Sequence, residues 1–117
     1  MSRHRNAAVK LDDAAPVFAA LGDRTRMRLV ARLSADGPLS ISRLSEGAGV
    51  TRQAITKHLR AMDKAGLVRA SRQGREQIFE LEPRRLEKAR RYLDQISADW
   101  DSAISRLRAF VETDSDD

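Results

Sequence analysis

A mainly α fold of the α+β class, with a two-stranded hairpin and a long C-terminal helix, is predicted by three features of the chain. Apolar residues recur at helical spacings over most of residues 11–65. That period gives way to alternation around a glycine over residues 67–81. From Leu86 to Phe110 an apolar seam then runs with alternating spacings of three and four.

Composition bounds the reading before any motif is considered. With 117 residues the chain is one domain with a modest core. Charged residues make up 33% and the formal net charge is +5, which favours a polyanionic partner. There is no cysteine, so disulfides and thiolate metal sites are excluded and a reducing compartment fits. No apolar run approaches the ~18 residues of a membrane span. Nor does the N-terminal stretch "MSRHRNAAVK" lead into a signal-peptide core. The expectation is a soluble, cytoplasmic protein without membrane contact.

Residues 1–10 are polar and basic without periodicity, and read as a flexible tail. The domain proper spans 11–82. Asp12 or Asp13 caps a first helix carrying Val17, Phe18 and Leu21, with Pro16 in its first turn, and Gly22 stops it. Asp23 caps a second helix with Leu29, Val30 and Leu33 on one face, while Arg24, Arg26, Arg28 and Arg32 largely face away. "ADGPL" is a turn.

From Leu39 the pattern is a short helix with Leu44 and Ala48 on one face, a turn at Gly49, an apolar plug at Val50, and a helix capped by Thr51. That helix runs to about Ala65 with Ile55, Leu59 and Met62 as its buried stripe, and Gly66 takes the position after its C-cap. Its opposite face carries Gln53, Thr56, Lys57 and Arg60 at i, i+3, i+4 and i+7. A helix with one buried stripe and one donor-rich face suits the major groove of double-stranded DNA.

"LVRASRQ" and "REQIFEL" flank Gly74 as the arms of a hairpin whose tip carries Arg72 and Arg75. A helix-turn-helix followed at once by a basic-tipped hairpin is a winged helix. Pro83 then opens the last helix, 83–112, whose seam is Leu86, Ala89, Leu93, Ile96, Trp100, Ala103, Leu107 and Phe110. A helix of that length outruns the core of a small domain, so a second copy is expected to cover the remainder, making this the dimerisation helix. A break between Ser97 and Asp99 into two shorter helices also fits the sequence. Residues 113–117 read as an acidic tail.

Gln53, Thr56 and Lys57 are the candidates for base-edge contacts, since amide, hydroxyl and ammonium groups match the donors and acceptors of the major groove. The plainer reading of such a face is simple solvation, but the adjacent basic wing favours DNA. Thr51, Arg52 and Arg60 are candidates for phosphate contacts, and Arg75 with Arg72 for the neighbouring minor groove or its phosphates. Lys64 and Arg69 read as solvated. His58 reads as a packing or phosphate-facing residue, because it and His4 are the only two histidines and neither has a ligand partner nearby. Trp100 lies on the seam and fits a dimer core better than a ligand pocket. No nucleophile with a paired base, glycine-rich phosphate loop or acid pair suggests catalysis, and no cofactor is implied.

"FAALGDRTRMRLVARL", "ITKHLRAMDKAGLV" and "GREQIFEL", in that order, resemble the ArsR/SmtB family of small bacterial winged-helix repressors. The likeness spans Val17 to Leu81 and continues more loosely through "ADWDSAISRLRAFVE", which is similar to a metal-free branch. The resemblance implies a homodimer that sits on a palindromic operator and blocks transcription. The helix from Thr51 would be its reader and the hairpin its wing. Metal sensors of the family carry a cysteine pair in the segment matching "PLSISRL", where Ser40 and Ser42 stand here. Others use histidines and acids on the last helix, which here holds Glu87, Asp94, Asp99 and Asp101 but no histidine. Hydroxyls are poor ligands for soft or borderline metals, so no metal site is expected and the effector is unknown. Two rival functions are a less specific chromosome-associated DNA binder and a winged helix used only as a protein-interaction module.

Overall fold

Two capped helices fix the frame on which everything else is hung. Asp23 and Thr51 both have extended backbone and accept from the N–H three residues on, that of Arg26 and of Ala54, each at 3.0 Å. Their side chains thereby satisfy donors that the first helical turn leaves open. The computed structural model describes residues 2–115, with side chains described for residues 11–113. Its elements are α1 (Ser2–Leu21), α2 (Arg24–Asp36), β1 (Leu39–Ser40), α3 (Ile41–Ser45), α4 (Arg52–Lys64), β2 (Val68–Gln73), β3 (Glu76–Leu81) and α5 (Pro83–Ser115).

The core forms where the apolar stripes of α1, α2, α3 and α4 meet the hairpin. Val17, Leu44, Ile55, Leu59, Met62 and Leu67 are fully buried, and Leu29, Leu33, Val68 and Phe79 nearly so. Spacing of four and three along α4 thus puts Ile55, Leu59 and Met62 on its inner face and leaves the outer face free. At its C-terminus Leu67 N–H donates to Met62 O and Gly66 N–H to Asp63 O, with Gly66 at φ 79°. This paired closure needs a left-handed residue, which glycine adopts without strain. Thr51→Ala is expected to lower the stability of the DNA-free protein by about 1 kcal/mol through loss of the cap. Denaturant titration should show an earlier midpoint with an unchanged slope.

The hairpin pairs Val68 with Leu81 and Ala70 with Phe79, out to Gln73 with Glu76. Its loop is the two residues Gly74 and Arg75. Only Gly74 has positive φ, as the first residue of a type II′ turn requires. The expected two-stranded wing has a third strand. β1 pairs antiparallel with β3 through Leu39 with Phe79 and Ser40 with Ile78, giving the order β1-β3-β2. Two residues are too short for an alternation to show, so periodicity does not reveal them.

Several local expectations are corrected. α1 begins at Ser2, not near Asp12, so the backbone of residues 2–10 is helical where a flexible tail is expected; Met1 lies outside the described residues. Between Ser2 and Ala15 there is neither glycine nor proline, and a helix nucleated on the packed end can propagate through such residues. Pro16 therefore sits inside α1 instead of its first turn. Asp13 is not a cap but reaches α5, pairing with Lys88 at 3.0 Å and Arg85 at 4.0 Å. Ala48 lies beyond the end of α3, and Val50 is exposed, not a plug.

α5 is continuous through Ser97–Asp99 and extends to Ser115. Of the expected acidic tail, residues 113–115 close this helix, and Asp116 and Asp117 lie outside the described residues. At 1.5 Å per residue its 33 residues span about 50 Å. The radius of gyration is 19.9 Å and the longest extent 73 Å, against about 13 Å for the radius of a compact chain of this size. Most of α5 therefore projects from the core. No helix among the described residues is long and apolar enough to cross a membrane.

Candidate nucleic-acid interface

The outer face of α4 is assembled by the same periodicity that buries its inner one. Arg52, Gln53, Lys57 and Arg60 are exposed and Thr56 is half-buried. Together they line a surface depression of about 630 Å³. The two threonines are not equivalent. Thr56 donates its hydroxyl to Arg52 O at 2.9 Å, so outward it offers acceptor lone pairs and its methyl group. Thr51 uses its oxygen as the cap acceptor, which leaves its hydroxyl proton able to donate.

The wing brings two more cations to this side. Arg72 stands opposite Gln77 in the register and Arg75 occupies the turn. With Arg52 they line a cleft of about 440 Å³ between the hairpin and the starts of α3 and α4. Arg52 borders both hollows, so helix face and wing form one continuous surface. Arg69, earlier on the same strand, is held by Glu80 at 3.5 Å and Glu82 at 3.1 Å. Among the described residues Arg52, Lys57, Arg60, Arg72 and Arg75 make no ion pair.

Beneath the helix, His58 faces the junction of α1 and α2, not an external phosphate. Arg26 Nε donates to His58 Nδ1 at 3.1 Å, and Arg26 Nη1 to Ala20 O at 3.4 Å. The Asp23 carboxylate lies 3.9 Å from His58 Nδ1. Its pKa is lowered, chiefly by the Arg26 N–H it accepts, with a smaller contribution from the Arg26 charge, against a desolvation effect that raises it. The stabilisation this implies is complete above the ordinary carboxylate value and is lost as pH falls through the lowered one. Arg26 thus ties α4 to both preceding helices. Its sequence position suits a solvated face, and its inward role emerges only in the fold.

α5 divides its apolar seam. Ala89 is buried and Leu86 packs on the chain's own core, so these two residues are already taken up within the monomer. Phe18 and Tyr92 face each other with ring centroids 6.0 Å apart. Beyond them Leu93, Ile96, Trp100, Leu107 and Phe110 are exposed, Trp100 at 66% and Phe110 at 70%, with Ala103 half-buried between.

Comparison with known proteins agrees with this architecture. A family model described as a helix-turn-helix domain matches residues 21–70. The chain is 33% identical over 98 residues to the HTH-type transcriptional regulator Rv2034 of Mycobacterium tuberculosis, covering 84% of this chain and 88% of the relative. It is also similar to a solved structure of an ArsR-like transcriptional regulator from Rhodococcus sp. RHA1. That match has 36% identity, a TM-score of 0.73, and coverage of 85% of this chain and 92% of the other. The chain belongs to the ArsR family. A further relative of known structure is the homodimeric winged helix-turn-helix DNA-binding domain from Mycobacterium bovis. It is 30% identical at a TM-score of 0.62, with 81% of this chain and 85% of that one covered. As an ArsR-family winged helix, the protein is a DNA-binding transcriptional regulator. Among the described residues no group of three His, Cys, Asp or Glu side chains is placed to hold a metal ion.

Proposed function

We propose that this regulator is a cytoplasmic homodimer that represses transcription from a palindromic operator. In each protomer α4 reads the major groove with Gln53, Thr56 and Lys57, and Thr51, Arg52 and Arg60 hold phosphates. Arg72 and Arg75 reach the neighbouring minor groove or its backbone. The observation that carries this reading is the continuous surface from α4 to the wing, where cations that make no ion pair among the described residues surround an amide and a hydroxyl. A purely electrostatic surface needs the cations but not the amide. The exposed seam of α5 supports the dimer, since apolar residues repeating along one face call for another apolar face. The homodimeric relative from Mycobacterium bovis agrees.

Selection of bound genomic fragments against an excess of unrelated DNA tests the function directly. Enriched fragments should share an inverted repeat with half-site centres about 10–10.5 base pairs apart. Uniform recovery would instead support a chromosome-associated binder, and no DNA binding at low salt a protein-interaction module. Transcription from a promoter bearing the recovered repeat should fall when the protein is supplied.

Metal ions are not expected to operate the switch. Ser40 is buried and accepts from Arg43 N–H at 3.1 Å as the cap of α3, and Ser42 is exposed. Neither hydroxyl is a good ligand for zinc, cadmium or arsenite. Titration of each ion should leave operator binding unchanged, and release at near-stoichiometric metal would reveal a site these residues do not suggest.

A further inference from the structure

The cleft between wing and helices has a chemistry of its own. Arg52 comes from the first residue of α4, Arg72 from β2 and Arg75 from the hairpin turn, so three separate elements each contribute one guanidinium-bearing side chain. Ser42 and Gln77 add neutral hydrogen-bonding groups, and Glu76 is the one carboxylate in the lining. Three positive charges against one negative leave an excess of two in the lining. Like charges gathered in a concavity repel one another. The wing can pair its arginines internally, as Arg69 does with Glu80 and Glu82, yet Arg72 and Arg75 make no ion pair among the described residues. Guanidinium forks match oxyanions bidentately, and a phosphate group at neutral pH carries between one and two negative charges.

We propose that this cleft is an oxyanion site that holds one phosphate group, jointly bound by Arg52, Arg72 and Arg75. The phosphate has two sources. One is the backbone of bound DNA, which rests on the operator-binding reading above. The other is a free phosphate or phosphorylated small molecule, for which about 440 Å³ lies within the usual range of small-ligand pockets. Both would claim the same three side chains. A free phosphate compound therefore competes with the operator, and the cleft becomes the place where a small anion relieves DNA binding.

Inorganic phosphate titrated into the full chain at constant ionic strength, followed by NMR of the arginine Nε–H signals, tests the site without DNA. Saturable shifts at Arg52, Arg72 and Arg75 are expected, with chloride giving none. R72Q/R75Q should weaken this binding by at least about tenfold, given the strength of hydrogen bonds to charged groups. The exposed control R106Q should leave it unchanged. The second arm replaces operator phosphates one at a time by neutral methylphosphonates. A position whose replacement weakens binding to the parent but not to R72Q/R75Q identifies the backbone phosphate in the cleft. Phosphate saturation without such a position assigns the site to a free anion, and such a position without phosphate saturation assigns it to DNA. Absence of both overturns the proposal. If the chain does not bind DNA at all, the phosphate titration still decides whether the cleft holds an oxyanion.

Discussion

Leu93→Asp and Trp100→Asp are each expected to shift the protein toward monomer in sedimentation, and to reduce operator affinity by about 10²–10⁴-fold. Leu93 and Trp100 stand on the part of α5 that the chain's own core leaves uncovered. In the proposed dimer an aspartate there would bury a charge against its symmetry mate or an apolar neighbour, which a packed interface tolerates poorly. The damage to DNA binding would far exceed one lost contact. In that dimer, two readers about 34–36 Å apart would engage successive faces of a palindrome, and the seam would keep the second reader at high effective concentration once the first has bound. Exposed positions on a projecting helix leave the monomer's core intact, so circular dichroism should retain its helical signal at low temperature. Some loss of stability is expected, since obligate dimers often lack a stable monomer. Variants that stay dimeric and bind as tightly as the parent would move the interface to another surface.

Legibility from sequence followed the strength of local constraint. α4 and its cap were legible because Thr51, the Ile55, Leu59 and Met62 stripe, and Gly66 each report the same helix by a different rule. The hairpin was legible for a similar reason, since alternation on both arms converges on Gly74. β1 was not, because a two-residue strand is defined by its partner β3 and not by its own pattern. Nor was the inward turn of Arg26, whose bond to His58 joins residues 32 apart in the chain. The start of α1 does not follow from its sequence, because Asp12 and Asp13 satisfy the rule for a cap, whereas Asp13 is engaged by Lys88 of the distant α5. The seam shows a subtler limit: its period is regular from Leu86 to Phe110, but the point where self-packing ends is set by the reach of α1, which period alone does not encode.

Gln53→Ala and Lys57→Ala are expected to weaken binding to the operator more than to random DNA, each by about 1–3 kcal/mol if its contact is to a base edge. Both side chains are exposed on the outer face of α4, and neither makes a hydrogen bond or ion pair among the described residues, so the folded domain should be unaffected. Arg75→Ala should act differently. Its place on the hairpin turn suits a backbone contact, so it should weaken specific and random DNA more evenly. It should also reduce the slope of log affinity against log salt, by up to about one unit, because the backbone loses one of its cationic partners. The contrast is the informative quantity. A base contact changes the ratio of the two affinities and leaves the salt slope nearly constant if charge is conserved, as for Gln53, whereas a phosphate contact changes the slope and leaves the ratio. Lys57 separates the cases further, since its ammonium group can serve either role: a changed ratio places it on a base and a changed slope alone places it on a phosphate. Equal losses on both DNAs for all three variants would remove sequence reading from α4 and leave the surface a general binder of the DNA backbone.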